Sequence, residues 1–147
     1  MENHTLKIDS IGCGLVIDHI SAGNAMKIYR YLHLDDLECA VAIIRNVKSK
    51  KHGIKDIIKV ENTIDIDLNV LGYLDPNSTI NVIKDGVITN KLKLRLPPTI
   101  KNVVYCKNPR CITSIEQEID HIFELTDETT HSYRCIYCEQ EAAVEPQ

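Results

Sequence analysis

The 147-residue chain has no tryptophan and one phenylalanine, Phe123. Its core must therefore be built mostly from Ile, Val and Leu. Long apolar runs are also missing. The longest, Cys39-Ala-Val-Ala-Ile-Ile44, falls far short of the roughly 20 residues that span a bilayer. The first residues, Met1-Glu-Asn-His-Thr-Leu-Lys7, lack the apolar stretch of an export signal. These absences point to a cytoplasmic protein with reduced thiols and no membrane contact. No Walker-type glycine loop is present to cradle a phosphate. Nor is any Ser/His/Asp or Cys/His constellation apparent, so a catalytic role has no support. Clustered basic charge is lacking in the last third. From residue 98 onward, four basic residues face nine acidic ones, leaving that stretch at −5 and the part before it near +1. A nucleic-acid backbone calls for the opposite sign.

What the chain does have is cysteine in pairs. Cys106-Lys-Asn-Pro-Arg-Cys111 and Cys135-Ile-Tyr-Cys138 are two tight loops, each able to turn two thiolates toward one point. Four converging thiolates match the tetrahedral preference of structural zinc and leave no open position for a substrate. Two disulfides are the alternative, disfavoured in a chain without secretory features. Iron in a rubredoxin-like site shares the same donor set. Cys13 and Cys39 fall outside the paired spacing and read as small core residues.

Residues 15–17, Leu-Val-Ile, read as a buried strand ending at Asp18-His19. Ser21 suits a helix N-cap, and Ala25, Ile28 and Leu32 recur at helical spacing, which predicts a helix over 22–32. Residues 39–44 are apolar on both sides and read as a central strand. The lysine-rich stretch 47–53 reads as a solvated loop, and 57–61 as a strand. Residues 64–74 fit either period. Asp65 and Asp67 at the electropositive end, with Leu68, Leu71 and Leu74 behind them, favour a short helix. Residues 79–83 and 87–94 form a hairpin around Asp85-Gly86, placing Asn81 across from Lys91 within about one residue of register.

This order is the ferredoxin-like split βαβ pattern with one extra hairpin strand: an antiparallel sheet with two helices on one face. Pro97-Pro98 interrupts the last strand and marks a boundary, giving domains 1–97 and 98–147. In the second part, residues 102–105 read as a strand leading into the first cysteine pair. Residues 119–125 and 132–135 read as a hairpin delivering the second. The fold class is thus α+β, with a small all-β metal-binding domain at the C-terminus. A module of about fifty residues rarely stabilises itself by burial alone, so metal binding there would be folding free energy.

Several stretches together resemble one family, the regulatory chain of aspartate carbamoyltransferase: Leu15-Val-Ile-Asp-His-Ile20, Lys55-Asp-Ile-Ile-Lys-Val-Glu-Asn62, Thr79-Ile-Asn-Val-Ile83, Asn102-Val-Val104 and the four cysteines closing on Cys138-Glu139. The resemblance runs over nearly the whole chain. It implies a non-catalytic subunit that binds CTP and ATP in its N-terminal domain, docks on the catalytic chain through a zinc domain and pairs with itself as a regulatory dimer in pyrimidine biosynthesis. Residue by residue, it implies that Asp18 bonds ribose hydroxyls, that His19 lies near the phosphates, and that Lys59 and Lys91 take the triphosphate. Asn81 would line the same pocket, and Ser10, Ile11, Val16, Ile83 and Ile88 would enclose base and sugar. Asn108, Tyr137 and Glu139 match positions close to the catalytic chain, and the four cysteines match one zinc ion. Gly86 stands where some relatives carry an aromatic residue, and the loop 10–14 is richer in glycine than is typical, which leaves effector preference open. A zinc-ribbon nucleic-acid binder is the alternative function, opposed by the −5 charge.

Overall fold

Residues 12–50, 53–62 and 65–142 are described by the computed structural model. The chain divides into two compact units, Met1–Arg95 and Leu96–Gln147. The first holds β1 (Gly14–Ser21), α1 (Ala25–Tyr31), β2 (Val41–Ser49), β3 (Gly53–Val60), α2 (Leu68–Leu74), β4 (Thr79–Lys84) and β5 (Val87–Lys93). Its five strands form one sheet in the order β2-β3-β1-β4-β5, antiparallel at every pairing. This is the split βαβ arrangement with β5 added at one edge.

Alternation along the strands separates two faces. Leu15 and Ile17 of β1 lie opposite Val60 and Ile58 of β3, and opposite Val82 and Ile80 of β4. Residues directly opposite share a face. These side chains form one cluster with Ala25 and Ile28 of α1 and Leu71 and Leu74 of α2, so both helices cover the same side. Each fully buried Ile there contributes about 1.5–3 kcal/mol of transfer free energy. Gly14 is fixed by close approach, since a Cβ at that position would overlap the Val60 carbonyl oxygen.

Several elements differ from their expected form. α1 begins at Ala25, not residue 22, because β1 continues through Ser21 and a turn follows. Ser21 is not the N-cap. Its amide donates to Asp75 Oδ2 at 2.7 Å. The start of α1 is instead served by Asp56 on β3, which is fully buried and accepts from the amides of Gly23 (3.0 Å) and Ala25 (3.3 Å). Its other oxygen accepts from Asn46 N at 3.0 Å, where a bulge with Asn46 at φ 60° interrupts the β2–β3 pairing. Within 47–53, the expected loop is shorter, since its first three residues and Gly53 lie in strands. Val47, Lys48 and Ser49 continue β2 opposite Lys55, Ile54 and Gly53. Backbone pairing holds lysines there because β2 is an edge strand, not the central strand that its two apolar sides suggested. β3 accordingly starts at Gly53 and not at 57.

α2 forms as expected, though shorter. Asp67 is its N-cap, accepting from Asn69 N (3.0 Å) and Val70 N (3.2 Å). The β4–β5 turn uses Asp85 and Gly86, at φ 52° and 76°, the two left-handed positions of a type I′ turn. Cys13 is exposed and not a core residue, whereas Cys39 is partly buried against the core.

The second unit holds β6 (Thr99–Lys101), α3 (Ile112–Ile115), β7 (Ile122–Asp127) and β8 (Ser132–Cys135), with sheet order β6-β7-β8. The expected strand at 102–105 is displaced to β6. Asn102 turns out of the sheet at φ 57°, and its side-chain oxygen accepts from His121 N at 2.9 Å. β7 starts at Ile122, three residues later than expected, and the single turn α3 had no counterpart in the sequence reading. Ile100, Val104, Phe123 and Tyr133 are buried. The Tyr133 hydroxyl donates to the Pro97 carbonyl at 2.6 Å and Leu125 N to that of Pro98 at 2.9 Å, so both prolines are tied into this unit.

Candidate metal centre and the open face of the sheet

The two cysteine loops do converge. The sulfurs of Cys106, Cys111, Cys135 and Cys138 all lie within 4.8 Å of one another. Cys106–Cys138 and Cys111–Cys135 are 3.6 Å and 3.7 Å apart. A disulfide needs about 2.05 Å. A tetrahedron with metal–sulfur bonds of about 2.3 Å has edges of about 3.8 Å, and the two short edges here match it.

The backbone is arranged around the sulfurs as acceptors. The amide of Asn108 lies by Cys106, that of Thr113 by Cys111, those of Tyr137 and Cys138 by Cys135, and that of Gln140 by Cys138. Amides aimed at all four sulfurs favour thiolates, the form in which cysteine binds a metal. Burial pushes the Cys106 thiol up to about 12 against its one amide, and raises Cys135 against its two. At Cys138 burial is outweighed by the Gln140 amide, the Asn108 side chain and Cys106, which bring the thiol down to about 7. At Cys111 burial is outweighed by the hydroxyl and amide of Thr113, so this thiol too lies below the ordinary range. A bound dication would deprotonate all four. The donor set fits a tetrahedral metal, and among the described residues no fifth group joins it.

Around this centre, Asn108 is part of the first cysteine loop itself. Its carbonyl accepts from Cys111 N (3.0 Å) and Ser114 Oγ (2.7 Å), and its Oδ1 from Arg110 N (3.0 Å). Tyr137 and Glu139 lie on the outer side of the second loop, both exposed. Ile112, Ile115 and Ile136 are exposed nearby in sequence, an apolar set that the sequence reading did not single out.

Among the described residues, no helix covers the other sheet face of the first unit. One transverse row on that face runs Ala42, Lys59, Val16, Asn81, Lys91 across β2, β3, β1, β4 and β5. Lys59 and Lys91 therefore stand three strand spacings apart, about 14 Å, with Val16 and Asn81 between them. Lys59 is partly buried and Lys91 exposed. Asn81 is 8% exposed, and among the described residues its Oδ1 has no hydrogen-bond partner. Buried side-chain acceptors are nearly always paired.

The neighbouring positions hold the other expected residues. Ile83, between Gly14 and Ile88 in the register, carries the face toward the β4–β5 turn. Ile88 and Lys91 are three apart and would point to opposite sides of a regular strand. An extra residue in β5, between Ile88 and Asn90, brings them to one face. Toward the other end of β1, Asp18 pairs with Thr79. Its Oδ1 takes the Lys55 ammonium at 2.9 Å and the His19 amide at 2.6 Å. His19 is the bulged residue of β1, at φ 57°, with Nδ1 3.1 Å from Thr79 Oγ1. Burial alone would raise the Asp18 carboxyl, but Lys55 and the His19 amide outweigh it and hold the group below its ordinary value.

Lys55 was absent from the expected set because its strand was read as starting two residues later. Its alternation with Ile57 and Lys59 was the available signal. Ser10 and Ile11 lie outside the described residues.

The chain matches two family models. Residues 6–95 match "Aspartate carbamoyltransferase regulatory chain, allosteric domain". Residues 98–145 match "Aspartate carbamoyltransferase regulatory chain, metal binding domain". Curated relatives carry the same name. A Clostridium acetobutylicum protein is 52% identical over 135 residues, 92% of each chain. One from Clostridium tetani is 53% identical over 136 residues, 92% of this chain and 94% of its own. One from Bifidobacterium longum is 42% identical over 137 residues, 93% and 99%.

Proposed function

This chain belongs to the family of aspartate carbamoyltransferase regulatory chains, and from that premise we propose that the open face of its five-stranded sheet takes a nucleoside triphosphate effector, CTP or ATP. A regulatory chain is the non-catalytic subunit, and its partner is a catalytic chain. The observation that carries the effector reading is the row Lys59, Val16, Asn81, Lys91, with an unpaired buried oxygen at its centre.

Each residue has a distinct task. Lys59 and Lys91 supply two cations on flexible stems for a polyanion, in place of a glycine loop. Asp18 is kept ionised by Lys55, and both of its described bonds fall on Oδ1. A carboxylate has about four acceptor positions, so the remainder can receive vicinal ribose hydroxyls. His19, positioned by Thr79, lies beside it on the phosphate side. Val16, Ile83 and Ile88 supply apolar surface for sugar and base, with Ser10 and Ile11 from the preceding segment. Asn81 Oδ1 requires a donor, and a nucleotide's hydroxyls or exocyclic amine provide one.

In the second unit the four cysteines hold one Zn2+, which supplies the folding free energy that a core of this size lacks. Asn108, Tyr137 and Glu139 then face the catalytic chain. The first unit acts as the effector domain and the second as the docking domain, two regulatory chains pair, and the complex serves pyrimidine biosynthesis in the cytoplasm. Calorimetric titration of CTP and ATP into the full zinc-loaded chain tests the effector reading. Saturable binding at one nucleotide per chain is expected. No heat and no saturation with either nucleotide at millimolar concentration would overturn it.

A further inference from the structure

Beside the four cysteines, one buried hydroxyl points into the sulfur cluster. Thr113, the second residue of α3, is 3% exposed, and its Oγ1 donates to Cys111 Sγ at 3.1 Å. Its own amide lies beside the same sulfur. Cys106 and Cys135 have backbone amides beside them, whereas Cys111 takes a buried side-chain hydroxyl. We propose that Thr113 is a positioning residue of the metal centre, whose hydroxyl fixes the orientation of the Cys111 sulfur and sets how much charge that sulfur donates to the metal. The proposal rests on the reading of the four cysteines as a metal site.

A buried hydroxyl without an acceptor is costly, and here the acceptor is a sulfur that the site needs in anionic form. Hydrogen bonds to an ionised acceptor are roughly twice as strong as neutral ones. The same bond withdraws charge from the sulfur. It therefore leaves a spectroscopic mark that simple packing would not. Outer hydrogen bonds of this type typically change metal affinity about tenfold to a hundredfold when removed. α3 is a single turn with Cys111 as its N-cap residue. The short helix is what brings a side chain two positions past the ligand back onto it.

The test uses the full chain loaded with Co2+, with affinity read by chelator competition and sulfur-to-cobalt charge transfer read by absorption. Thr113→Val keeps the shape and removes the donor; Thr113→Ser keeps the donor and removes a methyl. Thr113→Val should bind Co2+ about tenfold more weakly, with its charge-transfer band shifted to lower energy, and Thr113→Ser should restore both. If Thr113→Val fails to load, Thr113→Ala is read in its place. Unchanged affinity in Thr113→Val would overturn the proposal. So would a loss of affinity without a band shift, or one shared by Thr113→Ser, since either assigns the residue to packing. Failure of the unaltered chain to bind Co2+ would instead remove the metal reading on which the proposal rests.

Discussion

If the sheet face takes a nucleoside triphosphate as proposed, replacing Lys91 should separate recognition of the phosphates from recognition of the nucleoside. Lys91 is exposed on the edge strand β5, directly opposite Asn81, while Lys59 is partly buried between β1 and β2. A hydrogen bond to a charged group contributes about 1.5–3 kcal/mol. Water and salt screen an exposed cation most, so Lys91 belongs at the low end of that range and Lys59 nearer the top. At about 1.4 kcal/mol per tenfold, Lys91→Ala should weaken CTP or ATP binding about tenfold and Lys59→Ala about a hundredfold. Neither change removes a contact to the sugar or base. Cytidine and adenosine should therefore bind both variants within about twofold of the unaltered chain on this reasoning. Asp18→Ala should weaken nucleoside and triphosphate alike, because the ribose is common to both. Calorimetric titration in low salt measures all of these. Equal losses for nucleoside and triphosphate in Lys91→Ala would refute the phosphate role.

Three further outcomes follow from the same contacts. Cys135→Ser should lose its metal on dialysis and unfold the second unit, because three thiolates hold zinc far more weakly than four. One equivalent of metal retained by that variant would contradict the assignment. Asp56→Ala leaves three amides without their acceptor, one of them at fully buried Ala25; it should destabilise the first unit by about 3 kcal/mol in urea, with Asp56→Asn recovering part. Lys55 holds the Asp18 carboxyl below its ordinary value, so this ion pair stabilises the fold above the ordinary carboxylate pKa and is lost as pH falls through the folded one. Both groups are only partly buried, so Lys55→Met should cost about 1 kcal/mol or less at neutral pH. That gap should close in acid, below about pH 4, and a gap undiminished at pH 2 would assign the loss to packing of the lysine stem.

The sheet was legible wherever alternation was regular. Leu15 and Ile17, Ile80 and Val82, and the Asp85-Gly86 turn gave strands and hairpin directly, and the cysteine spacing gave the metal centre. What escaped the sequence was set by single inserted residues and by partners distant in the chain. The bulge in β5 puts Ile88 and Lys91 on one face, which a period of two denies. The one in β1 at His19 lets Asp18 meet Lys55, two strands' worth of sequence away. Ser21 had the composition of an N-cap, but buried Asp56 supplies the acceptor and Ser21 stays in the strand. The lysines of 47–53 suggested a loop because charge was read without knowing that β2 lies at the edge. Thr113 carried no signal at all until α3 turned it onto Cys111.

Reconstitution tests the central claim most directly. The zinc-loaded chain is mixed with an aspartate carbamoyltransferase catalytic chain, the complex is isolated, and carbamoyl transfer is assayed with and without CTP and ATP. The two chains should co-purify, and at least one nucleotide should change the activity. A Lys59→Ala, Lys91→Ala double variant should still assemble but no longer respond. A complex that fails to form with zinc-loaded chain, or a full nucleotide response in the double variant, would contradict that claim.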